Sequence, residues 1–156
     1  MNKLKKILIP ITFLLFFSNC GYTPIFSKKD VNFTIKEIKF LGDRQIEAKI
    51  SRALSSYINK SGKEKIVSLA IINLKSINVA SKNSKGEAQT KRINVDTNVK
   101  IILSENNIIE KNFIKSSIYS VTDSNSEQEL IEKKLVENFS SEIALQIVFE
   151  ILKNTK

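Results

Sequence analysis

Histidine is absent from all 156 residues, and this removes the commonest chemistry at once. Without an imidazole there is no Ser-His-Asp triad and no ordinary zinc site. Glycine is nearly as scarce: Gly21, Gly42, Gly62 and Gly86 are scattered, so no phosphate-cradling loop or dinucleotide fingerprint exists. The single cysteine, Cys20, lacks an intramolecular disulfide partner. Carboxylates remain, but pairs such as Glu127 and Glu129 lie in a helix-start pattern that capping explains. The expectation is a non-enzyme, with no catalytic residue, metal or cofactor.

Acidic residues are missing from the first nineteen positions. That segment has Lys3, Lys5 and Lys6, then an apolar run from Ile7 to Phe17, then Ser18-Asn19-Cys20-Gly21. It is the layout of a bacterial secretory signal. Its end is similar to a lipoprotein lipobox, in which the cysteine receives a diacylglycerol and becomes the mature N-terminus. Ser18 and Cys20 fit that pattern, while Phe17 and Asn19 depart from its usual residues. A transmembrane helix is the competing reading. The run is too short for it, since about 20 apolar residues are needed, and Pro10 interrupts it. Two or more acyl chains anchor a protein stably where one does not. The expected organisation is a signal over 1–19, a lipidated N-terminus and tether over 20–30, and one domain over 31–156.

Loss of residues 1–19 removes three lysines and no acids, taking the formal charge from +9 to +6. A basic balance suits a nucleic acid, a membrane surface or another anionic partner, and export argues against nucleic acid. Only Arg44, Arg52 and Arg92 are arginines. With its many Ile and Asn residues the chain has the composition of an AT-rich genome, so part of the lysine excess is compositional.

The hydrophobic pattern predicts the order β-α-β-β-β-α. Val31 to Leu41 alternates, with a phase slip near Glu37 that suggests a bulge. From Asp43, a candidate N-cap, to about Asn59, Ile46, Ile50, Ala53, Leu54, Tyr57 and Ile58 recur at helical spacing, and Ser61-Gly62 is the expected stop. Ile66 to Val79 is apolar in both phases (Val67, Leu69, Ile71 and Ala70, Ile72, Leu74), the pattern of a central or doubly covered strand. A polar loop, Ser81 to Gly86, precedes a long strand with Ile93, Val95, Val99, Ile101 and Leu103 in one phase. Ser104 to Asn107 turns it into a hairpin with Ile108 to Val121. Ser126 with Glu129, or Ser124 with Glu127, offers a capping box for a helix reaching about Lys153. Its rows are Ile131, Leu135, Phe139, Ile143, Ile147, Ile151 and Val136, Ala144, Val148, Leu152. The expected fold is α+β, a two-layer sandwich of about four strands with both helices on one face. Four strands are too few to close a barrel.

Cys20-Gly21-Tyr22-Thr23-Pro24-Ile25-Phe26 resembles the Cys-Gly-aromatic-x-Pro-aliphatic-aromatic opening of the LPS-assembly lipoprotein LptE family, especially its shorter alphaproteobacterial kind. A helix with Arg52-Ala53-Leu54, a Gly86-Glu87-Ala88 turn before a long strand, and a capped C-terminal helix agree in order and spacing. The resemblance implies an outer-membrane lipoprotein that binds lipopolysaccharide and plugs a large β-barrel translocon. Gly21 after the cysteine, in place of aspartate, is consistent with sorting to the outer membrane. Lys82, Lys85, Lys91 and Arg92, set against Glu87 alone, flank the turn that in this family points into the barrel, and they suit the phosphates of lipid A. A solvated hairpin in a lysine-rich chain would carry the same residues. The alternative function is an accessory periplasmic lipoprotein of a lipid-exporting ABC system or of peptidoglycan synthesis. A periplasmic hydrolase would need a polar catalytic cluster, which is not found.

Overall fold

A computed structural model describes residues 31–155, and the chain from Asn32 onward forms one compact unit. The signal, the tether and Cys20 lie outside the described residues. Strand β1 (Phe33–Gly42) leads through helix α1 (Arg44–Leu54) to β2 (Lys65–Lys82), β3 (Ala88–Ser104), β4 (Asn107–Ser120) and helix α2 (Asn125–Asn154). The fold is the expected α+β arrangement. Its sheet order is β1-β2-β3-β4, with β1 parallel to β2 and the remaining pairs antiparallel. The helix between β1 and β2 supplies the crossover that parallel neighbours require.

Alternation sets the faces. Phe33, Ile35, Val67, Leu69, Ile71, Ile93, Val95, Val99 and Ile101 are buried under the helices. From the helices come Ile46, Ile50, Leu54, Val136, Ile143, Ala144, Ile147, Val148 and Ile151. The phase slip is real: the β1–β2 register shifts between Ile35 and Glu37. This bulge puts Phe33 and Ile35 on the same side as Ile38 and Phe40.

Gly42 ends β1 at φ +123, where a Cβ would lie 1.8 Å from the Asn73 carbonyl oxygen. Only glycine lets the chain pass that close to β2 and turn upward into α1. Asp43 then caps the helix as expected, its Oδ1 accepting from the N–H groups of Gln45 and Ile46 at 2.9 and 3.1 Å. Burial opposes ionisation of this carboxyl. Those N–H donors and Lys75, 3.2 Å away, outweigh it and hold the group below its ordinary value.

Three expectations need correction. Helix α1 stops at Leu54 and continues only as a 3₁₀ turn over Ser55–Tyr57, short of Asn59. Tertiary contacts pull the chain away there: Tyr57 stacks on Phe33 at 5.5 Å, its carbonyl accepts from the Thr34 hydroxyl, and Ile58 bridges Ile35. Ala53, placed on the apolar stripe by its spacing, is exposed. Second, β2 is central but covered on one face only: Ile72 and Leu74 are 48% and 64% exposed. Third, Ile131, Leu135 and Phe139 are only half-buried, so the α2 row is fully covered from Ile143 onward. The cap of α2 is Ser124, whose Oγ accepts from Glu127 N–H at 3.4 Å, the earlier of the two candidate boxes.

Helix α2 runs back along the sheet, chiefly over β3, and packs beside α1. The apolar contact is reinforced by ion pairs from β4 to the helix, Lys115–Glu142 at 2.8 Å and Lys111–Glu150 at 3.7 Å, and by Lys49–Glu137 between the helices. The core contains an unsatisfied polar pair: Asn73 and Thr97 are cross-strand partners and fully buried, and their side-chain atoms have no hydrogen-bond partner among the described residues. Among the described residues no helix is long and apolar enough to cross a membrane.

Candidate functional site

The long β2–β3 hairpin extends past β1, whose last partner on β2 is Asn73. Its tip is organised by Asn83. The Asn83 N–H donates to the Glu87 carbonyl at 2.9 Å, and its own carbonyl accepts from Gly86 N–H at 3.0 Å. Asn83 Oδ1 accepts from the N–H groups of Lys85 and Glu87, both at 3.0 Å, and Nδ2 donates to the Glu87 carboxylate at 2.8 Å. Gly86 takes the left-handed conformation that closes the turn, at φ +82. Just below, the Ser81 and Thr90 hydroxyls meet at 2.7 Å. Glu87, the one acid of the loop, is therefore bonded to Asn83, and Lys82 and Lys85 project beside it, exposed.

The four basic residues expected to act together divide between two faces. Adjacent strand residues point oppositely, so Lys91 and Arg92 cannot share a surface. Lys91 lies on the helix side, in register with Val79 and Tyr119; Arg92 lies on the outer face, between Asn78 and Ile118. None of the four, Lys91 included, forms an ion pair among the described residues.

Lys91 faces Glu132, the centre of a polar latch with no signal in the sequence. Tyr119 Oη donates to Glu132 Oε1 at 2.6 Å, and Gln128 Nε2 donates to the same oxygen at 2.8 Å. Gln128 Oε1 in turn accepts from Thr122 N–H at 3.2 Å. Burial opposes the Glu132 charge, but Tyr119, Gln128 and the fields of Lys91 and Lys75 hold its carboxyl below the ordinary value. Burial and the neighbouring carboxylate push the Tyr119 phenol up, so it remains a donor. The latch ties the hairpin end of the sheet to the first turns of α2. Its bonded residues are four to thirteen positions apart, and only Gln128 and Glu132 share a helical spacing, so the folded register is what brings Tyr119 and Thr122 to them.

The outer face of the sheet is the second feature. It is uncovered by any described element, and it mixes aliphatic with amide and hydroxyl side chains. Leu41 and Ile72 line up with Asn98 and Asn112, and Leu74 and Ile114 flank Asp96. Leu41, Leu74 and Ile114 are 67%, 64% and 63% exposed. The apolar second phase of β2 was the trace of this face in the sequence.

This arrangement of sheet and helices is that of several bacterial lipoprotein structures. The crystal structure of rare lipoprotein B from Shewanella oneidensis matches with a TM-score of 0.57 at 11% identity, over 77% of this chain and 98% of that one. A lipoprotein B from Nitrosomonas europaea, solved in solution, matches at 0.58 and 13% identity, over 80% and 88%. A minor lipoprotein from Acinetobacter baumannii matches at 0.54 and 16%, over 77% and 92%. At such identities the likeness is one of fold. No family model and no curated protein matches the chain.

Proposed function

We propose that the chain is an outer-membrane lipoprotein, acylated at Cys20, that binds lipopolysaccharide and assists a β-barrel translocon by occupying its lumen. The observation that carries this reading is a four-stranded sheet with a bare, mixed-polarity outer face, ending in a hairpin with three exposed cations. A barrel lumen is polar along its wall, and a face that alternates aliphatic with amide groups suits enclosure there better than free exposure to water. That several structures with this fold are bacterial lipoproteins supports the anchor. Within the basic group Lys82–Arg92, Lys82, Lys85 and Arg92 contact the lipid-A phosphates. Lys91 adds positive field from the helix side of the hairpin, near the Glu132 carboxylate. Arg92 is the least replaceable, since a guanidinium pairs phosphate through two parallel bonds where lysine offers a point charge. The protein acts by binding and positioning, with no reaction of its own.

Co-purification from detergent-solubilised membranes tests this reading: a tagged copy should bring down a large outer-membrane barrel. Lys82→Ala, Lys85→Ala and Arg92→Ala together should weaken lipopolysaccharide binding, and by less at high salt, where screening already dominates. Mass spectrometry should find diacylglycerol on Cys20, and Cys20→Ser should release the protein from membranes. Absence of a barrel partner overturns the translocon role. Unchanged lipopolysaccharide binding at low salt overturns the ligand site.

A further inference from the structure

The end of the domain opposite the hairpin tip is where the chain enters. Asn32 is fixed there: its carbonyl accepts from Lys65 N–H at 3.2 Å, and its side chain donates to Glu64 at 2.8 Å. Twelve residues separate Cys20 from Asn32, a reach of at most about 40 Å even when fully extended. Whatever surface holds Cys20 therefore lies no farther than that from this end.

That end has the composition of a membrane-binding surface. The loop after α1 brings Lys60 and Lys63, the start of β2 brings Lys65, and the last turn of α2 brings Lys153. Lys65 and the α2 terminus meet across a shallow cleft of about 360 Å³, which Glu64, Ile66, Leu103, Asn107 and Asn154 also line. None of the four lysines forms an ion pair among the described residues. The opposing acids are Glu64, bonded to Asn32, and Glu105 in the β3–β4 turn. Beside the lysines two aliphatic side chains stand in water, Ile66 and Ile108, 58% and 49% exposed. Lysines around exposed aliphatics favour an anionic bilayer surface twice over, by attraction to the headgroups and by shallow burial of the apolar groups.

We infer that this end of the domain docks on anionic phospholipid headgroups, as a second membrane contact beside the acyl anchor. The inference rests on the proposed reading in so far as Cys20 lipidation brings a bilayer near. With the hairpin in a barrel lumen, the docking end lies at the periplasmic mouth, level with the inner-leaflet headgroups. The contact then limits the swing of the domain about its acyl anchor.

The test uses the mature chain from residue 20 with Cys20→Ser, so that no acyl chain contributes. Binding is measured by co-sedimentation with vesicles of phosphatidylethanolamine and phosphatidylglycerol, and with vesicles of phosphatidylcholine alone. The chain should bind the anionic vesicles, progressively less tightly as salt is raised, and should leave the neutral ones unbound. Lys60→Glu, Lys63→Glu and Lys65→Glu together should weaken binding about tenfold or more. The same charge change at Lys39, Lys133 and Lys134 should have under about twofold effect, because those residues lie away from this end. Ile66→Ser, at an exposed position that folding does not need, should give a smaller loss in the same direction. Equal binding to neutral vesicles overturns the inference, as does equal binding by the two charge-reversed proteins. Failure here leaves barrel co-purification and lipopolysaccharide binding untouched, and failure of those leaves the vesicle result standing.

Discussion

Removing one oxygen atom tests the latch between the hairpin end and α2. In Tyr119→Phe the ring, 8% exposed, keeps its packing while Glu132 loses the 2.6 Å phenol donor. A hydrogen bond to a charged group contributes about 1.5–3 kcal/mol. Glu132 is partly solvated and keeps Gln128 as a donor at 2.8 Å, so the expected cost lies at the lower end, about 1.5 kcal/mol. Glu132→Gln keeps a neutral acceptor for Tyr119 but loses the charge that strengthens both hydrogen bonds, and should cost about 1 kcal/mol. Urea denaturation of both single variants and the double variant gives the coupling energy, expected near 1 kcal/mol because the two residues share one bond. The pH dependence carries an independent sign. Glu132 is held below 4.5 in the folded protein, so its contribution is complete above that value and is lost as pH falls through the lower folded value. The stability gap between wild type and Glu132→Gln should therefore be constant near neutrality and close in acid. On the alkaline side, Tyr119 stays neutral in the fold while the unfolded tyrosine ionises near 10.0, so stability should decline as pH rises past that value. Strictly additive variants, or a gap that widens in acid, would refute the latch.

Two further substitutions test the core. Ile143→Ala, at a fully buried site on α2, should cost about 2–5 kcal/mol in the same assay; exposed Leu145→Ala should stay within about 0.5 kcal/mol. Thr97→Val keeps the side-chain shape and removes a buried hydroxyl that has no partner among the described residues. It should raise stability by about 1 kcal/mol, and a clear loss would mean that the hydroxyl is hydrogen-bonded in solution.

Periodicity alone determined the order of elements, the faces of β3, the bulge in β1 and the Asp43 cap, because each is a local consequence of side-chain spacing or of one short-range hydrogen bond. The four basic residues near the hairpin were likewise visible in the linear chain. Strand alternation alone separates Lys91 from Arg92. That the helix-side Lys91 lies near Glu132, forty-one positions later, is the work of α2, which returns along the sheet. The early end of α1 had the same origin, since Tyr57 and Ile58 fit a helical stripe but gain more from Phe33 and Ile35 across the sheet edge. The apolar second phase of β2 is legible as a pattern, but whether it is covered depends on where every other element goes. Both helices chose the opposite face, and the outer face was left bare. Likewise Lys60–Lys65 and Lys153 lie some ninety residues apart in the chain, and only the fold brings them to the end where Asn32 enters. Spacing records which side chains can share a face; long-range packing decides which faces meet, and so which charges remain free to bind something else.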